Sequence, residues 1–254
     1  MDEFSEYSSR QQKNREVFRK NFVSDIQHFK DALTVLRNIW GRLGIERDKA
    51  GQSHAGLLPF SNILVRHLIF GFEHLACYQS FLAWLALRPG LEALMMIGKF
   101  VDDPANAKIW LDREVDVNNY RKTFEGKALE SPSLPRSAEF RQVLSRLNSE
   151  FMHPNPAFAY RDATVTSDAG AMLVEIQFFD ADADVHEAHL LGYLNLLDLI
   201  VRSSQSVVDG LCGSKAKSGW AGNYAVQTRG RALQLAARNA VAKKVMEELG
   251  LWNL

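Results

Sequence analysis

The sequence predicts an all-α fold, a helical bundle with one small inserted β-hairpin. Apolar residues return every three or four positions through most of the chain, the signature of helices with one buried face. One stretch breaks that pattern with β-branched and apolar runs on either side of a turn, at residues 162–179. The 254 residues are 46% hydrophobic and 24% charged, an ordinary globular balance that excludes a disordered or rod-like chain.

The elements follow in order. The first ten residues are polar and are expected to fray. From 11 to 43, Val17, Phe18, Phe22, Ile26, Phe29, Leu33, Leu36 and Ile39 mark one helix, and 44–56 reads as a loop. Helices are expected at 57–77 and 81–101, with a break at 78–80 and Pro89 kinking the second or marking an early turn. Asp103-Pro104 is a helix start, and a charged helix should run on to about 125. A linker at 131–135 precedes a helix over 136–152, which His153-Pro154-Asn155-Pro156 stops because a residue before proline resists the α conformation. After the hairpin, helices are expected at 184–211 and 224–249. This organisation gives a bundle domain over 1–213, hairpin included, and a basic helical extension over 214–254.

Basic and acidic residues balance at 30 each, which argues against a generally basic nucleic-acid coat. The balance is uneven along the chain. Residues 151–214 carry two basic and nine acidic side chains, whereas 215–254 carry seven basic and two acidic. Either the tail docks on the acidic section, or Lys215, Lys217, Arg229, Arg231, Arg238, Lys243 and Lys244 form an RNA- or phosphate-binding tail. Docking is favoured.

Cys77 and Cys212 form no metal-type pair, and no signal peptide is visible, so a reducing cytoplasm is the expected compartment. The apolar segment 57–101 contains only Arg66, Glu73, Arg88, Glu92 and Lys99 as charges. Its longest run free of charge and histidine, Leu75–Leu87, has 13 residues, short of the ~20 that span a bilayer. Core helices are therefore expected, with no membrane partner. Phe60, Phe70, Phe72, Phe81, Trp84 and Phe100 read as core, and Trp220 and Trp252 as tail or subunit anchors.

Nucleotide, zincin and hydrolase fingerprints are absent from the sequence. Three constellations remain. Arg66 and Glu73 are seven apart, as are His67 and His74, and Arg88 and Glu92 are four apart, so each pair shares a helix face. Charges in apolar helices read as a buried ion-pair network, a cleft between the helices, or solvent-facing positions, with Glu73, His74, Arg88 and Glu92 the candidate ligand-binding residues. The second constellation, Arg146 to His153, joins a phosphate-holding group to a group that titrates near neutrality. The third, Asp180, Asp182, Asp184, His186, Glu187 and His189, looks like a metal box. A helix start with Asp184 and Glu187 as a capping box explains it better, and neither metal nor cofactor is expected.

The Arg146-x6-His153 segment resembles the HEPN superfamily, small helical domains of prokaryotic defence systems and toxins with an Arg-x(4–6)-His motif. Here Leu147 follows the arginine where that family often has a polar residue. A related set of HEPN-like proteins is resembled over about 60–160, through Leu87-Arg88-Pro89-Gly90-Leu91-Glu92-Ala93-Leu94, Asp103-Pro104 and Ser149-Glu150-Phe151-Met152-His153-Pro154. The resemblance implies a homodimer and a helical core in which Arg88, Glu92 and His153 converge. In active members His153 would act as general acid/base on the 2′-hydroxyl of RNA, with Arg146 holding the phosphate, without metal. Two functions follow as expectations. One is a binding module for RNA or a phosphate-bearing ligand. The other is a metal-independent endoribonuclease. His153 also reads as an anchor of the Pro-Asn-Pro turn.

Overall fold

The computed structural model describes residues 2–46, 54–151, 163–168, 171–176, 178–213 and 223–248. Among these are ten α-helices and two paired strands. His153, Lys215, Lys217, Trp220 and Trp252 lie outside the described residues.

The chain starts earlier than its polarity suggests. Asp2 accepts hydrogen bonds from the amide and hydroxyl of Ser5, capping helix α1 (Glu3–Asn21). The expected single helix is then two, because Phe22 leaves helical geometry to pack its ring on Phe18, 4.9 Å away, before α2 (Val23–Ile45) begins. A short 3-10 turn leads into α3 (Leu58–Ala76), and α4 spans Ser80–Asp102 with Pro89 inside it.

The α3–α4 turn is tight. Tyr78 adopts a left-handed φ of 60°, where glycine is usual. A tyrosine holds this position because its ring stacks on His186 at 4.0 Å and its carbonyl accepts from the Asp180 amide at 2.7 Å.

Asp103 accepts from the Ala105 amide and starts α5 (Ala105–Leu111). The expected charged helix divides at Asp112–Asp116, where Asp116 caps α6 (Val117–Phe124). Helix α7 is Ser137–Arg146, and the chain goes on through a π-helical turn, Leu147–Phe151, instead of continuing as α-helix. Strands β1 (Ala163–Asp168) and β2 (Ala171–Ile176) pair antiparallel with Ala163 opposite Ile176 and Asp168 opposite Ala171.

Helix α8 (Ala183–Cys212) is capped by Asp182, which accepts from the amides of Asp184 and Val185. The expected Asp184–Glu187 box is thus replaced by a cap two residues earlier. The last predicted helix breaks at Asn239, whose side chain ends α9 (Asn223–Arg238) and caps α10 (Ala240–Glu248).

The fold is all-α, with α8 as its central post. Phe18, Phe29, Leu36, Leu64, Leu68, Phe72, Trp84, Leu91, Phe140, Tyr193, Leu197 and Ile200 belong to one buried cluster. Phe29 and Phe72 stack at 3.8 Å. Helices α3 and α4 approach closely because Gly71 leaves room for the Ala83 carbonyl and the Tyr193 ring, whose hydroxyl donates to the Leu68 carbonyl. A smaller separate cluster, Val185, Ala188, Leu191, Leu235, Ala242, Val245 and Met246, holds α9 and α10 on α8. By length and composition α3 and α4 are each apolar enough to cross a bilayer. Most of the apolar window of α4 is buried in the bundle, against only a third of that of α3. Phe70, expected in the core, is 48% exposed.

Candidate functional site

The four candidate ligand-binding residues fall at two places. Glu73 and His74 end α3 beside α1. The Glu73 carboxylate is exposed and lies 3.7 Å from Arg15, and His74 Nδ1 is 3.3 Å from Gln79 Oε1. Gln79 donates to the Tyr7 hydroxyl at 2.6 Å, and Gln11 donates to the same oxygen at 3.1 Å. Arg15 also donates to Cys77 Sγ at 3.1 Å; burial pushes that thiol up, and the guanidinium opposes it. Arg66 is exposed too, so the buried ion-pair network expected on α3 does not form there: both charges sit on the helix face turned to water.

Arg88 and Glu92 lie further along α4, about 12 Å and 18 Å from its first residue, Ser80, at 1.5 Å per residue. Their side chains pair at 3.0 Å and are 28% and 40% exposed. The Arg88 Nε is buried and, among the described residues, has no hydrogen-bond partner. Burial pushes the Tyr120 hydroxyl on α6 up, and the Glu92 and Glu125 carboxylates add to this while Arg113 opposes. Glu92 and Arg113 thus each lie within electrostatic reach of Tyr120. Arg113 in turn covers the Trp110 ring at 4.6 Å, a cation–π contact. Phe60, Phe100, Trp110 and Phe124 form a ring cluster that Arg113 and Tyr120 border, while Arg88 and Glu92 stand half-exposed earlier on α4. This region can present a forked guanidinium, a carboxylate and a phenol to a ligand. Arg113, Trp110 and Tyr120 carried no motif in the sequence, since only the turn between α5 and α6 brings them together.

In comparisons with family models, curated proteins and solved structures, nothing matches the chain.

Arg146 ends α7, and its guanidinium donates to the Glu248 carbonyl at the end of α10. Among the described residues no contact joins it to Arg88 or Glu92, and its expected partner His153 lies outside them.

The acidic run before α8 resembles a metal box only in one dimension. Asp180 Oδ2 accepts from Ser80 Oγ at 2.6 Å and from His186 Nδ1 at 2.7 Å, and the same carboxylate meets the Ser80 amide. Asp182 caps α8, and Asp184 and Glu187 receive Arg238 and Arg231. His189 accepts from Trp84 Nε1 at 3.0 Å. Among the described residues no cluster of three metal-type side chains forms. Ser80, His186 and Asp180 are not a hydrolytic triad either. Serine and histidine share one carboxylate oxygen, and Ser80 and His186 are both buried. Among the described residues the His186 Nε2 has no hydrogen-bond partner, and its ring lies against Phe18, Phe22 and Tyr78. The group caps α4. Burial pushes the Asp180 carboxyl up, but the hydrogen bonds from His186 and Ser80 outweigh it and hold the carboxyl below its ordinary value.

Proposed function

We propose that this protein is a cytoplasmic, HEPN-like helical binding module, a homodimer that takes RNA or another phosphate-bearing ligand at the Arg88–Glu92 patch of α4. The bundle frames this patch, and the β1–β2 hairpin is an insert before α8. The observation that carries the reading is Arg88 itself. One terminal nitrogen of its guanidinium meets Glu92 and its side chain stays 28% exposed, while among the described residues its buried Nε has no hydrogen-bond partner. A guanidinium whose donors the protein does not saturate is suited to a phosphate, which accepts in a forked geometry. Tyr120, whose hydroxyl feels the Glu92 carboxylate and the Arg113 guanidinium, adds a polar group on the Glu92 side.

The test is thermal unfolding with inorganic phosphate, nucleoside phosphates and a short oligoribonucleotide. The wild type should be stabilised by at least one of them, Arg88→Met should lose that shift, and Glu92→Gln should change its size. Unfolding that no phosphate-bearing probe moves would remove the reading.

One observation favours the endoribonuclease as a second reading. The chain winds as a π-helix immediately after Arg146, and such turns recur at functional sites. Cleavage of single-stranded RNA in EDTA, abolished by His153→Ala in a folded variant, would establish it. Intact RNA after long incubation would remove it.

A further inference from the structure

Helix α3 presents a stripe to water that the bundle does not use. Ile63, Arg66, Phe70 and Glu73 recur at spacings of three and four, so they share one face. Ile63 is 38% and Phe70 48% exposed, on a helix apolar enough to cross a bilayer of which only a third is buried. Among the described residues Arg66 has no ion pair, and Glu73 has only the loose contact to Arg15 at 3.7 Å. The stripe is held rigidly. His67 lies edge-on to Phe70 at 5.7 Å and donates from Nδ1 to the Ala86 carbonyl at 2.6 Å, while Gly90 lets α4 close on the His67 stem. Beyond His67, the half-buried Leu82, Ala86 and Pro89 continue the surface on α4.

We infer that this face binds a second copy of the chain, with the two α3 helices antiparallel about a two-fold axis between Ile69 and Phe70. The charge order selects that occupant. An axis at this point sets Arg66 of each copy opposite Glu73 of the other and leaves the two Phe70 rings at the centre. The positive and negative positions, about 10 Å apart along the helix, are therefore self-complementary, as an isologous interface requires. An apolar centre with a charged rim is also the anatomy of protein interfaces. A lipid surface would gain nothing from a carboxylate at one end of the stripe. The inference rests on the dimeric part of the reading above and is independent of the ligand.

Sedimentation velocity over a dilution series tests it with charge reversal. The wild type should be a dimer. Arg66→Glu and Glu73→Arg should each weaken association by about tenfold or more, because each places like charges opposite one another twice. The double variant Arg66→Glu/Glu73→Arg should restore it, an outcome that rules out misfolding as the cause in the single variants. Phe70→Glu should be a folded monomer. The inference is overturned if the wild type is monomeric throughout, including a monomer that partitions onto phosphatidylcholine/phosphatidylglycerol vesicles. A dimer that survives Phe70→Glu, or a double variant no better than the singles, also overturns it. A wild-type dimer that no phosphate-bearing probe stabilises would sink the ligand reading and leave this one standing.

Discussion

The guanidinium of Arg231 on α9 lies 2.8 Å from the carboxylate of Asp25 on α2, 206 residues earlier in the chain. Asp25 is 1% exposed. The same guanidinium donates to Glu187 at 2.8 Å, and Arg238 reaches Asp184 at 2.6 Å. The basic C-terminal segment is thus docked on the acidic start of α8 within one chain, so at least these two arginines are engaged by its own acids.

That pairing sets the first expected outcome. Replacing Arg231 by methionine takes the guanidinium from a buried carboxylate, and the stability loss should be about 2–3 kcal/mol. This is less than for a fully buried pair, because the Arg231 side chain is 33% exposed. Urea titration checks it. Asp25→Asn in the same chain should recover part of the loss, and strictly additive single-variant effects would show that the two residues are not coupled.

Asp180 governs behaviour in acid. Its folded carboxyl lies below the ordinary value, so the unfolded chain binds this proton more readily. The stabilisation is complete above about pH 4, the unfolded value, and is lost as pH falls through the lower folded value. Asp180→Asn should cost about 1–3 kcal/mol at neutral pH, since Ser80 and His186 lose part of their acceptor. The gap between variant and wild type should close in acid. Melting curves from neutral pH down to strong acid report it, and a constant gap would refute the assignment.

Gly71→Ala tests how close the helices are. An added methyl would lie 2.5 Å from the Tyr193 hydroxyl oxygen and 2.9 Å from the Ala83 carbonyl. Backbone on one side and a buried ring on the other leave little room to yield, so the variant should lose about 2–3 kcal/mol despite alanine's better helix propensity. A melting temperature at or above wild type would mean that α3 and α4 part easily.

Trp84→Phe removes the indole donor to His189 and part of a ring that is 1% exposed. Loss of the hydrogen bond together with the cavity should cost about 2 kcal/mol by chemical denaturation. The effect should be additive with Arg231→Met, because Glu187, which receives Arg231, and His189, which receives Trp84, project from opposite sides of α8. Strong coupling between the two would contradict the separation of the main core from the smaller cluster of α8–α10.

Helix type and approximate extent were legible from local periodicity, because a buried face repeats every three or four residues whatever it packs against. The Asp103-Pro104 start and the proline-bounded linker at 131–135 follow from backbone rules that act over a few residues. The breaks at Phe22 and Asn239 were not legible. A ring turning onto Phe18 and a side chain capping the following helix leave the hydrophobic period intact.

Charge segregation along the chain pointed to a docked tail, since opposite signs in one molecule attract. Which acids receive which arginines depended on α2 and α8 standing side by side. Tertiary structure alone separated Glu73 and His74 from Arg88 and Glu92, because sequence spacing gives the face of one helix and not what lies opposite it. It alone put Tyr120 within electrostatic reach of Glu92, dissolved the apparent metal box into caps and ion pairs, and left Phe70 in water. Those outcomes depend on contacts between residues tens to hundreds of positions apart, and no local pattern encodes which of them meet.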